Sequence, residues 1–129
     1  MQNNKTQRPV YLNLLKIKLP VTGILSILHR ISGVFMVLSL PFIVYLFDLS
    51  LNNQDDFQRV RDLLSYPLLK LAMGIFLWLL LHHTLAGIRY LLLDLDIGVE
   101  KAAARKSAFV INYLGILLFV VILFGVFSL

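Results

Sequence analysis

The chain has 129 residues, of which 59% are hydrophobic, with a formal charge of +5 and no cysteine. Its mean hydropathy of +0.83 is typical of an integral membrane protein and excludes a soluble globular domain. Without cysteine, this chain forms neither a disulfide nor a thiolate-held iron–sulfur cluster.

Three long segments carry no Lys, Arg, Asp or Glu: residues 31–47, 71–88 and 108–129. Each segment, with its flanks, reaches the roughly 20 residues that a helix needs to cross about 30 Å of hydrocarbon. The sequence therefore predicts an all-α integral membrane protein, a single anchor domain over residues 1–129. Its three transmembrane helices are expected near residues 20–47, 66–94 and 108–128, after an N-terminal segment over residues 1–19.

The positive charge lies mainly in two places, before the first helix and between the second and third. The residues concerned are Lys5, Arg8, Lys16, Lys18, Lys101, Arg105 and Lys106. Under the positive-inside rule, this distribution predicts a cytoplasmic N-terminus and a C-terminus on the opposite side. The basic residues therefore orient the chain, and no nucleic-acid partner is expected. Since no removable signal peptide is recognisable, we expect a bacterial inner-membrane protein; a mitochondrially encoded subunit is the alternative.

The second predicted helix contains His82 and His83, followed by Arg89. An ionisable side chain in the hydrocarbon core costs about 2.5–3.5 kcal/mol on insertion scales, and such residues usually face a bundle interior or a site. His83, Gly87 and Tyr90 share one helix face, whereas His82 points about 100° away. Arg89 is expected about 8 Å, and His83 about 16 Å, from the cytoplasmic end of this helix.

The first helix contains a second polar cluster, with Thr22, Ser26, His29, Arg30 and Gly33 in an arc of about 100°. Because the helix enters from the cytoplasm, Ser26 is expected about 9 Å and Arg30 about 15 Å deep. Two polar clusters on antiparallel helices thus share one level, which predicts one composite site. Alternatively, the hydroxyls bond to their own helix and Arg30 snorkels to the headgroups.

A neutral imidazole is a standard axial ligand of haem iron, and Gly87 would let a flat ring come close to the helix. Haem propionates need cations, which His29, Arg30 and Arg89 could supply. The alternative for His83 is a histidine that is hydrogen-bonded across a helix interface.

Two motifs resemble the paired signatures of the cytochrome b subunit of succinate dehydrogenase, respiratory complex II. They are Ser26-Ile27-Leu28-His29-Arg30-Ile31-Ser32-Gly33 and His83-Thr84-Leu85-Ala86-Gly87-Ile88-Arg89. The opening Arg8-Pro9-Val10-Tyr11-Leu12-Asn13-Leu14 is similar to the family segment that lies against the iron–sulfur subunit. The resemblance covers nearly the whole chain.

The resemblance implies that His83 ligates haem b and that Ser26 and Arg30 contribute to the ubiquinone site. It places Arg30, and with it His29, near the haem propionates, while His82 is treated as structural. The second haem ligand would come from a second small membrane-anchor subunit. Electrons would arrive from an iron–sulfur subunit served by a flavoprotein subunit, so this chain alone is not an enzyme and has no catalytic residue of its own.

Two other functions agree with intramembrane histidines and arginines. A proton relay or transporter uses such residues, although its fold usually shows repeats or helices broken near the midplane. A purely structural anchor without haem would use them only to join helices. A haem b band in the visible spectrum of the purified complex would distinguish a haem-binding anchor subunit from these two alternatives.

Overall fold

In the computed structural model, which describes residues 18–128, the chain forms four helices and, within that range, no strand. Their bounds are α1 Val21–Asn52, α2 Gln54–Ser65, α3 Pro67–Asp94 and α4 Lys101–Ser128. Helices α1, α3 and α4 are long and apolar enough to cross a membrane. The predicted all-α, three-span architecture is confirmed. The opening motif at residues 8–14 lies outside the described residues.

Proline marks the start of two of the spanning helices. Pro20 precedes α1, and its carbonyl accepts hydrogen bonds from the amides of Gly23 and Ile24. Pro67 is the first residue of α3, where the missing amide hydrogen costs nothing because no helical acceptor faces that position. Within α1, Pro41 is accommodated without ending the helix.

The helix bounds differ from the predicted spans at two places. Helix α1 continues past residue 47 to Asn52, and α4 begins at Lys101, seven residues before the predicted start at 108. The spans were set where charge is absent, but a helix need not end where the apolar run ends. Residues 101–104, Lys-Ala-Ala-Ala, are good helix formers and extend α4 beyond the apolar segment.

Helix α2 occupies the segment between the first two predicted spans, where no helix was predicted. The Asn53 side chain caps it by accepting a hydrogen bond from the Asp56 amide at 2.9 Å, and Asp55 adds negative charge to the first turn. Arg59 pairs with Asp56 at 3.0 Å, and Val60 is buried. The Asn-x-x-Asp spacing was a sequence signal for this helix.

The three long helices meet around a small core in which each contributes one fully buried residue: Leu25, Ala86 and Ala108. Small residues elsewhere let the helices approach closely. A Cβ added to Gly74 would lie 3.0 Å from Leu123 Cδ2, for example. Many long apolar side chains on the outside of the bundle are exposed, as lipid or further helices require. Helix α3 packs on both α1 and α4, so residues on its two sides enter different environments.

Candidate functional site

The predicted polar clusters of α1 and α3 meet at the contact between these helices, which we call the α1–α3 seam. The His29 and His83 rings stack there with centroids 4.0 Å apart and an interplanar angle of 14°. The edge of Tyr90 meets His29 at a centroid distance of 5.2 Å. The two histidines therefore lie at one level of the bundle, on the helices that sequence spacing had assigned to one site.

The His83 ring is held through Nδ1. This atom lies 3.0 Å from the His29 carbonyl oxygen and 2.9 Å from Ser32 Oγ. The Ser32 hydroxyl donates to the same His29 carbonyl at 2.8 Å. A carbonyl oxygen only accepts, and the serine proton is already directed to it. These contacts are satisfied together when Nδ1 carries the proton and Nε2 is the nitrogen with a free lone pair.

Two glycines make room for the stacked rings in a reciprocal manner. A Cβ on Gly33 would lie 3.1 Å from His83 Cε1, and a Cβ on Gly87 would lie 3.4 Å from His29 Nε2. Each histidine thus rests on the glycine of the opposite helix, and each helix carries its glycine four residues after its own histidine. The sequence predicted that a flat ring would approach Gly87. Within this chain, the ring that does so is the imidazole of His29.

Ser32 was not assigned a role from the sequence, although it is fully buried and contacts His83 directly. It lies three residues after His29, on the same side of α1. A serine in an apolar span more often bonds to its own helix than across an interface, and Ser32 does both. Its cross-helix partner could not be read from spacing alone.

Ser26 and Arg30 lie one turn apart on α1, toward the outer edge of the predicted polar arc. Ser26 is partly buried and Arg30 is exposed, whereas Leu25 and Ser32, on the side facing the other helices, are fully buried. The arc therefore divides into an inner part, containing His29 and Gly33, and an outer part. Ser26 and Arg30 are available to a molecule that approaches α1 from outside this chain.

Arg89 faces α4, and the residue is 6% exposed. Its Nε donates to Ser107 Oγ at 2.9 Å and its Nη2 to the Ala104 carbonyl at 3.0 Å. The Arg89 Cζ also lies 5.4 Å from the centroid of the Tyr90 ring. Arg89 thus joins α3 to the first turns of α4.

His82 lies on the same side of α3 as Arg89, at the α3–α4 seam. It is 2% exposed, and a Cβ on Gly115 would lie 2.9 Å from its Cδ2 atom. Trp78, one turn earlier, donates from Nε1 to the Gly115 carbonyl at 2.8 Å. The two adjacent histidines therefore point to different helices, as the 100° rotation per residue predicts.

These features define a class of protein: a polytopic membrane protein with a partly buried imidazole pair between two of its spans. Over residues 4–124, the sequence matches the family described as succinate dehydrogenase/fumarate reductase transmembrane subunit. The chain belongs to this family, and the resemblance seen in its two motifs is confirmed.

Two relatives have the same printed description, succinate dehydrogenase cytochrome b556 subunit. The protein from Coxiella burnetii is 38% identical over 116 residues, covering 87% of this chain and 93% of the relative. The protein from Paracoccus denitrificans is 31% identical over 109 residues, covering 81% of each chain. The likeness in both cases extends over most of this chain rather than a single motif.

Proposed function

We propose that this chain is a membrane-anchor subunit of succinate:quinone oxidoreductase that holds haem b together with a second anchor subunit. It forms part of the site at which ubiquinone is reduced. Its partners are that second anchor, an iron–sulfur subunit and a flavoprotein subunit. The chain is not an enzyme on its own, because oxidation of succinate belongs to the soluble subunits.

The observation that carries the haem proposal is the hydrogen bonding of His83. Its Nδ1 faces the His29 carbonyl at 3.0 Å and Ser32 Oγ at 2.9 Å. Metal-binding histidines commonly donate one ring N–H to a carbonyl, which fixes the tautomer and raises the basicity of the other nitrogen. His83 is therefore prepared to bind iron through Nε2.

The surroundings of His83 fit a haem in other respects. Gly33 and Gly87 keep the seam narrow enough for flat rings to lie against backbone. The Tyr90 hydroxyl is buried and has no hydrogen-bond partner among residues 18–128, so a polar group from outside the chain could satisfy it. We assign His29 and Arg30 to the propionates. For Arg89, such a role would use Nη1 or the second hydrogen of Nη2, since Nε and one Nη2 hydrogen donate to α4.

We assign the second iron ligand to another chain. The His29 and His83 rings stack with centroids 4.0 Å apart, so these two histidines would not hold one haem between them. His82, the remaining histidine, faces α4. A histidine of the second anchor subunit would complete the coordination.

Ser26 and Arg30 are proposed to bind the quinone. The Ser26 hydroxyl donates a hydrogen bond to a quinone carbonyl and so orients the ring. The Arg30 guanidinium stabilises negative charge as it develops on that oxygen, and a positioned cation in a water-poor site is effective for this purpose. The haem, when bound, supplies one-electron redox chemistry close by.

We place the N-terminus in the cytoplasm and the protein in a bacterial inner membrane. Lys101, Arg105 and Lys106 lie at the end of the bundle where α1 begins, as the positive-inside rule requires for that orientation. The iron–sulfur subunit would dock at the same end. Both relatives described above are bacterial, which supports this location.

The haem proposal is tested by comparing His83→Leu with His82→Leu in the purified complex. We expect His83→Leu to lose haem or change the haem b spectrum, because the axial nitrogen is removed. His82→Leu, the matched control in the same turn, should keep the spectrum. Equal spectral loss in both variants, or an unchanged spectrum in His83→Leu, would refute the assignment. Haem retained with an altered spectrum in His83→Leu would support it, since another group can occupy the vacated position.

A further inference from the structure

A shallow groove of about 660 Å³ runs along the outer face of α4 and belongs to neither seam. Its residues recur at intervals of three or four positions, so they share one side of the helix. They include Arg105, Lys106, Phe109, Val110, Tyr113 and Leu117. At about 100° per residue, this side is opposite to Ala108 and Gly115, the buried residues through which α4 contacts the other spans. The groove therefore faces out of the bundle.

Two cations lie at one end of the groove. Arg105 and Lys106 are exposed, and within residues 18–128 neither forms an ion pair. No Asp or Glu lines the groove. Helical side chains lean toward the N-terminus, so both long side chains reach away from the apolar part of α4 and toward the membrane surface. An anionic group at that end would meet two positive charges and no carboxylate among the lining residues.

The rest of the groove is an apolar stripe, which begins at Phe109 and ends at Leu117. The Phe109 and Tyr113 rings stack along it with centroids 6.3 Å apart, and Tyr113 is 68% exposed. From Arg105 to Leu117 the helix rises about 18 Å. This rise is close to the thickness of one leaflet, about half of a 30 Å hydrocarbon core. The groove thus has the polarity and the length of one phospholipid in one leaflet.

The lining of the groove favours a lipid over another helix. Membrane helices pack closely through small residues, but no Gly, Ala or Ser lines this groove. Because α4 packs on both α1 and α3, its outer face is turned away from the α1–α3 seam, where the second anchor subunit is proposed to bind. A free phosphate ion would satisfy the two cations but would leave the apolar stripe without a partner.

We propose that the outer face of α4 binds an anionic phospholipid, with its phosphate at Arg105 and Lys106. One acyl chain lies along the apolar stripe. Basic residues next to a span attract anionic headgroups, and a guanidinium can pair with two phosphate oxygens at once. The site is independent of the haem and quinone proposals, because none of its residues belongs to either.

The test uses the full chain in its purified complex, reconstituted in phosphatidylcholine bilayers. Two photoreactive lipids, a phosphatidylglycerol and a phosphatidylcholine, carry the same diazirine acyl chain, and their adducts are mapped by mass spectrometry. We expect phosphatidylglycerol to label the apolar stripe at least about fivefold more than phosphatidylcholine does. The double variant Arg105→Gln/Lys106→Gln should abolish this preference. Lys101→Gln is the matched control, because it removes one positive charge from the same helix at a position that does not line the groove.

Equal labelling by the two probes in the native complex would overturn the proposal, because the face would then be ordinary lipid contact. The absence of adducts from both probes would also overturn it and would indicate that another helix covers α4. A preference that persists in the assembled double variant would likewise contradict it. If the double variant does not assemble, Val110→Trp keeps both cations and fills the groove one turn below Lys106. It should lower phosphatidylglycerol labelling to the phosphatidylcholine level, and unchanged labelling would refute the site.

Discussion

His82 and His83 are consecutive residues of one apolar span, yet they belong to seams of different construction. At the α1–α3 seam, His83 is bonded through Nδ1 in a way that leaves Nε2 free for a ligand. At the α3–α4 seam, Trp78 and Arg89 donate to backbone carbonyls of α4, and His82 packs on Gly115.

The difference separates two uses of polar residues in a membrane. Bonds to backbone carbonyls fix one helix on another within the chain. Bonds that fix the tautomer of an imidazole prepare it for chemistry with something outside the chain. Substitutions at the α1–α3 seam should therefore alter cofactor or quinone behaviour, and those among the α3–α4 cross-links should alter stability.

The largest effect is expected at Ser26 and Arg30, on the outer edge of α1. Ser26→Ala and Arg30→Leu should each lower succinate-to-quinone turnover by about 10²–10³-fold, the usual cost of removing one preorganised group that stabilises developing charge. Succinate oxidation with an artificial acceptor that bypasses the membrane should remain normal. Normal quinone turnover in both assembled variants, or a parallel loss of artificial-acceptor activity, would contradict the assignment.

Arg30→Lys sharpens the same comparison. Lysine keeps the positive charge but loses the planar fork of the guanidinium. We expect quinone turnover between those of the native complex and Arg30→Leu, with assembly unchanged. Turnover equal to the native value would mean that charge alone is required, and the geometric part of the proposal would be withdrawn.

Ser32→Ala tests whether the α1–α3 seam prepares His83 for iron. Loss of a group that orients a metal ligand typically costs about 10–100-fold in metal affinity or activity. We expect weaker haem retention or a shifted haem midpoint potential, measured by redox titration of the purified complex. Ser39→Ala is the control, because Ser39 donates to the Met36 carbonyl in the same local pattern. Identical potentials and haem content in the two variants would argue against the role of Ser32.

Gly115→Ala, at the α3–α4 seam, should lower stability and leave the haem unchanged. The new Cβ would lie 2.9 Å from His82 Cδ2, so the helices or the ring must shift. Overpacking of this kind costs about 1–3 kcal/mol, and we expect a lower thermal midpoint of the complex with the haem spectrum retained. Gly125→Ala on the same helix meets nothing within 4 Å and serves as the control. Equal midpoints would show that the seam tolerates the added methyl group.

The smallest effect is expected for Arg89→Met, which keeps a long side chain but removes both hydrogen bonds to α4. Hydrogen bonds between membrane helices average about 0.6 kcal/mol each, so the thermal midpoint should fall slightly. The midpoint potential of the haem should stay unchanged if Arg89 only joins helices. A marked shift in that potential would instead support a propionate role for Arg89.

The sequence by itself determined the number of spans, because about 20 uncharged apolar residues have one low-energy state in a bilayer, which is helix. It also determined that His82 and His83 point in different directions, since that follows from helix geometry. The pairing of the polar clusters on α1 and α3 was predictable because antiparallel spans bring residues of equal depth to one level. Helix α2 was missed because only long uncharged segments were taken as helices, although Asn53 and Asp56 have the spacing of a cap.

Only the tertiary structure decided which neighbour each polar residue meets. Spacing placed Arg89 with the composite site, but the rotation of α3 turns its guanidinium toward Ser107 and α4. Ser32 contacts the His83 ring, 51 residues further along the chain, and no local sequence pattern predicts that contact. Helix periodicity fixes the direction of a side chain relative to its own axis. The crossing of one helix on another fixes what lies in that direction, and it depends on small residues such as Gly33 and Gly115 at the points of contact.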